Sequence, residues 1–306
     1  FPSFDNGRMT QVAYMPIVLF CSSLIMVCML GSAFATRGQI VRMKKVPDDL
    51  PPFSIRQLAA EMYSAIQNRN YLFLLLGLFF LSVTIGTHET LGLYMGTFYW
   101  EFTDKQIGWL ILGNVFGYLI GFLTAARLHQ KFEKRWTTVA TAAGLSVAWS
   151  MAVTLRLFDL APENTTWTLV AFVIFWGTLS SVCGSVLNIS VMSALADIAD
   201  EHELNTGRRQ EGIFYSARTF FAKVTNGIGH VVAGVALDVI EFPQGVPASE
   251  IHPDKIYALG IIDGPFAMVW GLIAACIYAG YRIDKSYHAK VQEELQLRKA
   301  AEAAVT

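Results

Sequence analysis

Ser216, Thr219, Lys223, Asn226 and His230 recur every three or four residues inside a long apolar run. At about 100° per residue they fall within an arc of about 80° on one helix face. Phe220, Phe221, Val224, Ile228 and Val231 take the rest of the circumference. If the helix enters hydrocarbon near Ile213, Lys223 lies ~15 Å deep, near the midplane of a core roughly 30 Å thick. An ammonium there costs about 2.5–3.5 kcal/mol unless it faces a wet cavity or a partner. The chemistry on offer is charge neutralisation and hydrogen bonding to hydroxyls by Thr219 and Asn226, with His230 as an outer ligand or a packing residue. Two readings of Lys223 stand: a structural lysine that snorkels or pairs with a carbonyl, and a cavity cation. A lysine reaches only ~6 Å, which falls short of either interface and favours the cavity.

A charged connector precedes this helix: Asp197, Asp200, Glu201, Glu203, Arg208 and Arg209. It reads either as a solvated loop or as half of a cytoplasmic gate, in which Asp197 and Asp200 pair with basic residues of another bundle. Arg218, ~7 Å inside the helix, snorkels outward or pairs with Asp200. Gly207 is placed to end the preceding helix. The lone amide Asn188 interrupts an otherwise apolar span. His88 and Glu89, ~26 Å along their own helix, read as an interfacial polar pair or as the lining of an outer vestibule. The sequence carries no nucleophile–base set, phosphate-binding glycine loop or metal-ligand spacing, so neither an enzyme nor a bound cofactor is expected; nor is a nucleic-acid partner.

The elements that position these residues are membrane helices. Of 306 residues, 54% are hydrophobic and only 15% charged, against about 25% charged in a soluble domain; mean hydropathy is +0.43. Uncharged runs give seven spans: Val12–Thr36, Tyr71–Trp100, Ile107–Ala126, Trp136–Leu155, Trp167–Ala196, a sixth to about Ile240, and Gly264–Tyr281. The expected fold is an all-α polytopic membrane protein embedded in a lipid bilayer. Gly113, Gly117 and Gly121 form a small-residue ladder for close helix approach. The four cysteines sit in apolar runs, without disulfide or metal spacing.

Lys and Arg concentrate in alternate loops, which predicts an N-terminus outside and a C-terminus in the cytoplasm. A seven-helix receptor shares that topology. A retinal protein needs its lysine in the last span, which here has none, and no Asp-Arg-Tyr or Asn-Pro-x-x-Tyr is present. A twelve-helix carrier accounts for more, because residues 37–70 have the position and character of its long central loop.

The connector and the helix after it carry a more specific pattern: Asp197-Ile-Ala-Asp200, then Thr206-Gly207-Arg208-Arg209-Gln-Glu211-Gly212-Ile-Phe, then Phe-Phe-Ala-Lys223. This resembles the glycoside–pentoside–hexuronide:cation symporter family, which includes the melibiose permease and belongs to the major facilitator superfamily. The likeness implies that the chain corresponds to helices 6–12 of twelve and is a fragment: residues 1–36 the last helix of the N-terminal bundle, 37–70 the central loop with an amphipathic helix, 71–285 the C-terminal six-helix bundle, 286–306 a solvated cytoplasmic tail. It implies alternating-access symport of a sugar or glycoside with a cation, Na+ or H+, across a cell membrane, bacterial inner membrane by kinship. A carrier of a lipid, drug or other non-sugar solute is the alternative. By the same likeness Lys223 and Thr219 face the sugar and cation sites. Where the melibiose permease has a tryptophan on the tenth helix, this chain has Asn188.

Overall fold

A computed structural model describes residues 11–42, 54–207, 210–243, 246 and 250–305, and every regular element among them is helical. Seven helices are long and apolar enough to cross a membrane. The chain divides into two units at Gln57 and Leu58. The first contains α1 (Gln11–Thr36), uncharged throughout, and a tight 3₁₀ turn at Arg37–Arg42. Large apolar side chains such as Phe20 and Met29 are exposed along α1, as suits a helix whose solvent is lipid.

The second unit begins within α2 (Ile55–Gln67). Its spans are α3 (Arg69–Tyr94), running on into a π turn at Met95–Tyr99, then α4 (Asp104–Lys131), α5 (Lys134–Leu157), α6 (Trp167–Thr206) and α7 (Glu211–Val239). The last span is composite: α8 (Pro253–Ile261), a π turn at Ile262–Phe266, and α9 (Ala267–Tyr278). A tail helix, α10 (Lys285–Val305), follows. Side-chain caps fix several starts: Asn68 for α3, a Thr103–Gln106 capping box for α4 and Thr166 for α6, each satisfying backbone N–H groups that a helix start leaves open.

α3 packs between α7 and α9, α5 between α6 and α9, and α4 lies against α6. The glycine ladder works on that last seam. A methyl on Gly117 would meet the Ser181 Cβ at 2.5 Å and the Thr178 carbonyl at 2.6 Å. α3 and α7 also cross glycine to glycine: a Cβ on Gly86 would stand 2.8 Å from the Gly229 Cα. Gly86→Val is therefore expected to prise α7 from α3 and to destabilise by about 1–3 kcal/mol, seen as a lower melting temperature in detergent. Gly92→Val on the same helix, where a Cβ meets nothing within 4 Å, should be neutral.

The structure departs from the sequence reading at three places. The last span starts at Pro253 rather than Gly264, because Asp263 finds a buried partner and need not mark an interface. α6 continues past Ala196, where the expected span ended, for 40 residues in all, to the Gly207 stop that the sequence predicted, a left-handed cap at φ 70°. The tail is not fully solvated: α10 packs on α6 and buries Val291 and Leu295, since apolar residues four apart share one helix face.

Candidate functional site

α7 carries the polar stripe. Its partner faces are spent on Ala217, Thr225, Gly229 and Ala233, which are buried, while Ser216, Thr219, Lys223 and His230 are exposed and Asn226 is half-buried. The Thr219 hydroxyl donates to the Tyr215 carbonyl at 2.8 Å and that of Ser216 to Ile213 at 3.1 Å. Both keep lone pairs for another donor. Lys223 has no carboxylate or hydrogen-bond partner among the described residues.

The structure adds Glu89 and Thr90 of α3 to this face. Asn226 donates its amide to the Glu89 carboxylate at 3.4 Å, and His230 Nδ1 lies 2.7 Å from the Thr90 hydroxyl. His230 Nε2 stands 3.9 Å from Glu89, with side chains 46% and 51% exposed. The Lys223 ammonium and the Glu89 carboxylate thus belong to one open strip, which runs ~10 Å along α7 from Lys223 to His230 and meets Glu89 at Asn226 and His230. Asn226 Oδ1 is buried without a partner. Such a strip presents hydrogen-bond donors and acceptors side by side. Asn188 on α6 is exposed and makes no hydrogen bond among the described residues.

At the other end of α3 the connector residues form an ordered cluster. Asp197 is buried and paired with Lys134 of α5 at 2.6 Å, side chains 5% and 21% exposed. The Tyr281 hydroxyl donates to the same carboxylate at 3.4 Å, and His288 of the tail lies 3.3 Å from it and 3.1 Å from Asp200. Glu201 accepts from Asn68, Asn70 and the Tyr287 hydroxyl. Burial, then the Asp197 charge and its hydrogen bond, push the Tyr281 phenol up; burial and Glu201 do the same to Tyr287. The Tyr287 backbone N–H and the Ser286 hydroxyl hold Asp284, at the start of α10, below the usual carboxylate range.

Arg218 makes no ion pair with Asp200; its Nε is buried without a hydrogen-bond partner, within electrostatic reach of Tyr71 and Tyr278. Arg208 and Arg209 lie outside the described residues. Lys134 and His288 escaped the sequence reading because both look like ordinary end-of-helix bases and lie 63 and 88 residues from their carboxylates. His88 and Glu89, adjacent in sequence, part company: Glu89 turns to the open strip, whereas His88 points inward to Asp263 at 2.7 Å. The described residues hold no group of three or more His, Cys, Asp or Glu that could ligate a metal ion.

A sequence family described as MFS/sugar transport protein matches residues 1–285. Among curated proteins, the chain is 26% identical over 248 residues to an uncharacterized symporter of Synechocystis sp., covering 79% of this chain and 43% of that protein. It is 26% identical over 200 residues to a putative sulfoquinovose importer of Escherichia coli, covering 65% of this chain and 40% of the importer. A 29.9 kDa uncharacterized protein of Pseudescherichia vulneris is 23% identical over 209 residues, 68% of this chain and 71% of its own length. The chain thus spans less than half the length of the first two relatives.

Proposed function

The chain belongs to the MFS/sugar transport protein family, and from that premise we propose that it forms one bundle of a secondary active transporter that moves a sugar or glycoside together with a cation by alternating access. The observation that carries this reading is the open polar strip on α7 and α3, where Lys223 has no partner among the described residues on a membrane helix. A charge in that setting marks a solute path by default, and in this reading the missing partner is a carboxylate of a facing bundle. Thr219, Asn226, His230 and Glu89 supply donors and acceptors for hydroxyls. Asn188 contributes an amide in place of an aromatic platform. The chain acts as a carrier and not an enzyme; its substrate is released unchanged.

The Asp197 end is assigned to the cytoplasm by the distribution of basic residues, and there the connector forms a gate. Asp197 is committed to Lys134 and braces the gate from within. Asp200, 28% exposed and bonded to the tail's His288, is the carboxylate placed to reach across. Basic residues of the facing bundle supply the matching positive charges, with Arg208 and Arg209 as the connector's own cations; Arg218, which makes no ion pair with Asp200, is left out of that contact. Contacts of this kind must break as one bundle rocks on the other, which suits partly solvated ion pairs of modest strength.

Uptake into vesicles holding the full-length protein tests the reading. Sulfoquinovose and simple methyl glycosides are offered under an imposed sodium or proton gradient, with empty vesicles as control. Accumulation that collapses when the gradient is discharged is expected. Transport that ignores both gradients would refute the symport part, and absence of transport for every sugar, with uptake of a lipid or drug instead, would replace the substrate class.

A further inference from the structure

The bundle buries an ionisable pair that the polar strip does not use. His88 of α3 and Asp263 of the π turn before α9 meet at 2.7 Å, with side chains only 2% and 9% exposed. The His88 ring lies flat on Trp149 of α5, centroids 4.4 Å apart and planes 12° from parallel. Its remaining nitrogen, Nε2, is buried with no hydrogen-bond partner among the described residues. The hydroxyls of the same helix turn have their protons committed: Thr84 donates to the Ala267 carbonyl and Thr87 to that of Val83. The Asp263 turn is π-helical and contains Pro265, a local distortion found often at functional sites.

A half-satisfied buried ion pair costs more than an apolar replacement of the same volume. This one leaves a nitrogen bare in every protonation state. With Asp263 ionised and His88 neutral, Nδ1–H donates to Oδ1, Nε2 presents an unshared lone pair, and the site holds a net charge of −1 away from water. One proton added at Nε2 gives an imidazolium, keeps the Nδ1–H bond and makes the pair neutral; no other bond forms or breaks. The indole face of Trp149 attracts that cation, and Asp263 does so more strongly.

The groups on the surrounding elements leave this charge balance to the pair. Tyr99 of the first π turn lies within electrostatic reach of Asp263, as it does of Arg156 and Tyr257, but its hydroxyl donates to the Val153 carbonyl. Arg156 of α5 is bonded to the Pro162 carbonyl, and Lys255 of α8 to that of Ile240. Glu89 and, on α7, His230 belong to the open strip. α9 offers Cys276 and Tyr278, ~20 Å along the helix from Asp263. The α6 carboxylates lie at the far end of α3, Glu201 against Asn68 and Asn70 and Asp197 against Tyr281 and Lys134. No base other than His88 pairs with Asp263 among the described residues.

We propose that His88 and Asp263 form a proton-binding site, loaded from water at His88 Nε2 in one phase of the transport cycle and emptied in another, so that a proton is a coupling ion. The proposal rests on the transporter reading above for its place in a cycle, but the site can be tested apart from it. In lipid nanodiscs holding the full-length protein, infrared difference spectra between pH 8 and pH 5.5 should show an imidazolium band that His88→Gln removes. A spectrum identical in parent and His88→Gln would overturn the proton site whatever the protein carries. In vesicles, sulfoquinovose or methyl glycoside uptake should alkalinise a weakly buffered medium. His88→Gln should lose concentrative uptake by at least about tenfold yet keep counterflow exchange, which needs no net proton movement. Uptake with no proton movement, or a His88→Gln variant that accumulates like the parent, would sink the coupling role while leaving the carrier reading intact. Absence of any glycoside uptake with the imidazolium band present would fault the carrier reading and keep the proton site.

Discussion

Lys223→Met in the full-length protein is expected to insert and fold but to lose cation-coupled accumulation. Methionine keeps most of the volume and removes the charge, so in the proposed carrier the carboxylates facing the ammonium are left uncompensated. Breaking a desolvated pair from one side costs about 3–5 kcal/mol, and even about 3 kcal/mol corresponds to roughly 100-fold in uptake. Lys223→Arg should be only partly tolerated, since a planar fork does not replace a compact ammonium in a fitted site. A lysine with a purely structural role predicts the opposite ranking: Met would be well tolerated, because removing a buried charge relieves its desolvation. Vesicle accumulation against a gradient decides between them, and a Met variant that matches the parent refutes the mechanism.

Lys134→Met should be the most destabilising single change at the Asp197 end. Asp197 is 5% exposed on its side chain, and losing the ammonium leaves a buried carboxylate held only by Tyr281 and His288. The expected loss is about 3–5 kcal/mol, read as a lowered melting temperature in detergent. Lys134→Met combined with Asp197→Leu should recover much of it, since neither charge is then stranded. If the double variant melts no higher than the single one, the two side chains are not coupled. Asp200→Asn, by contrast, should change stability little and should raise the reactivity of cysteines placed on the cytoplasmic side, because it removes a partly exposed gate contact. Unchanged reactivity would return Asp200 to the surface.

The features legible in the chain follow from local rules. Uncharged runs specify membrane helices because a bilayer leaves the backbone no other way to satisfy its polar groups. Gly113, Gly117 and Gly121 announced a close helix seam, and residues 197–223 carried the family pattern. The polar stripe of α7 was legible because helical period alone puts Lys223 and Asn226 on one face. Pairing across the bundle was not legible. Nothing within twenty residues of Asp263 or His88 says that they meet 175 positions apart, and a lone aspartate beside a proline reads as the edge of a span until its partner is seen. The same holds for Asp197, whose charge suggested a solvated connector and whose burial against Lys134 and Tyr281 makes it part of the core. Only the tertiary structure decided which of these charges are desolvated, because the cost of burying an ion depends on partners that packing, and not spacing, brings within reach.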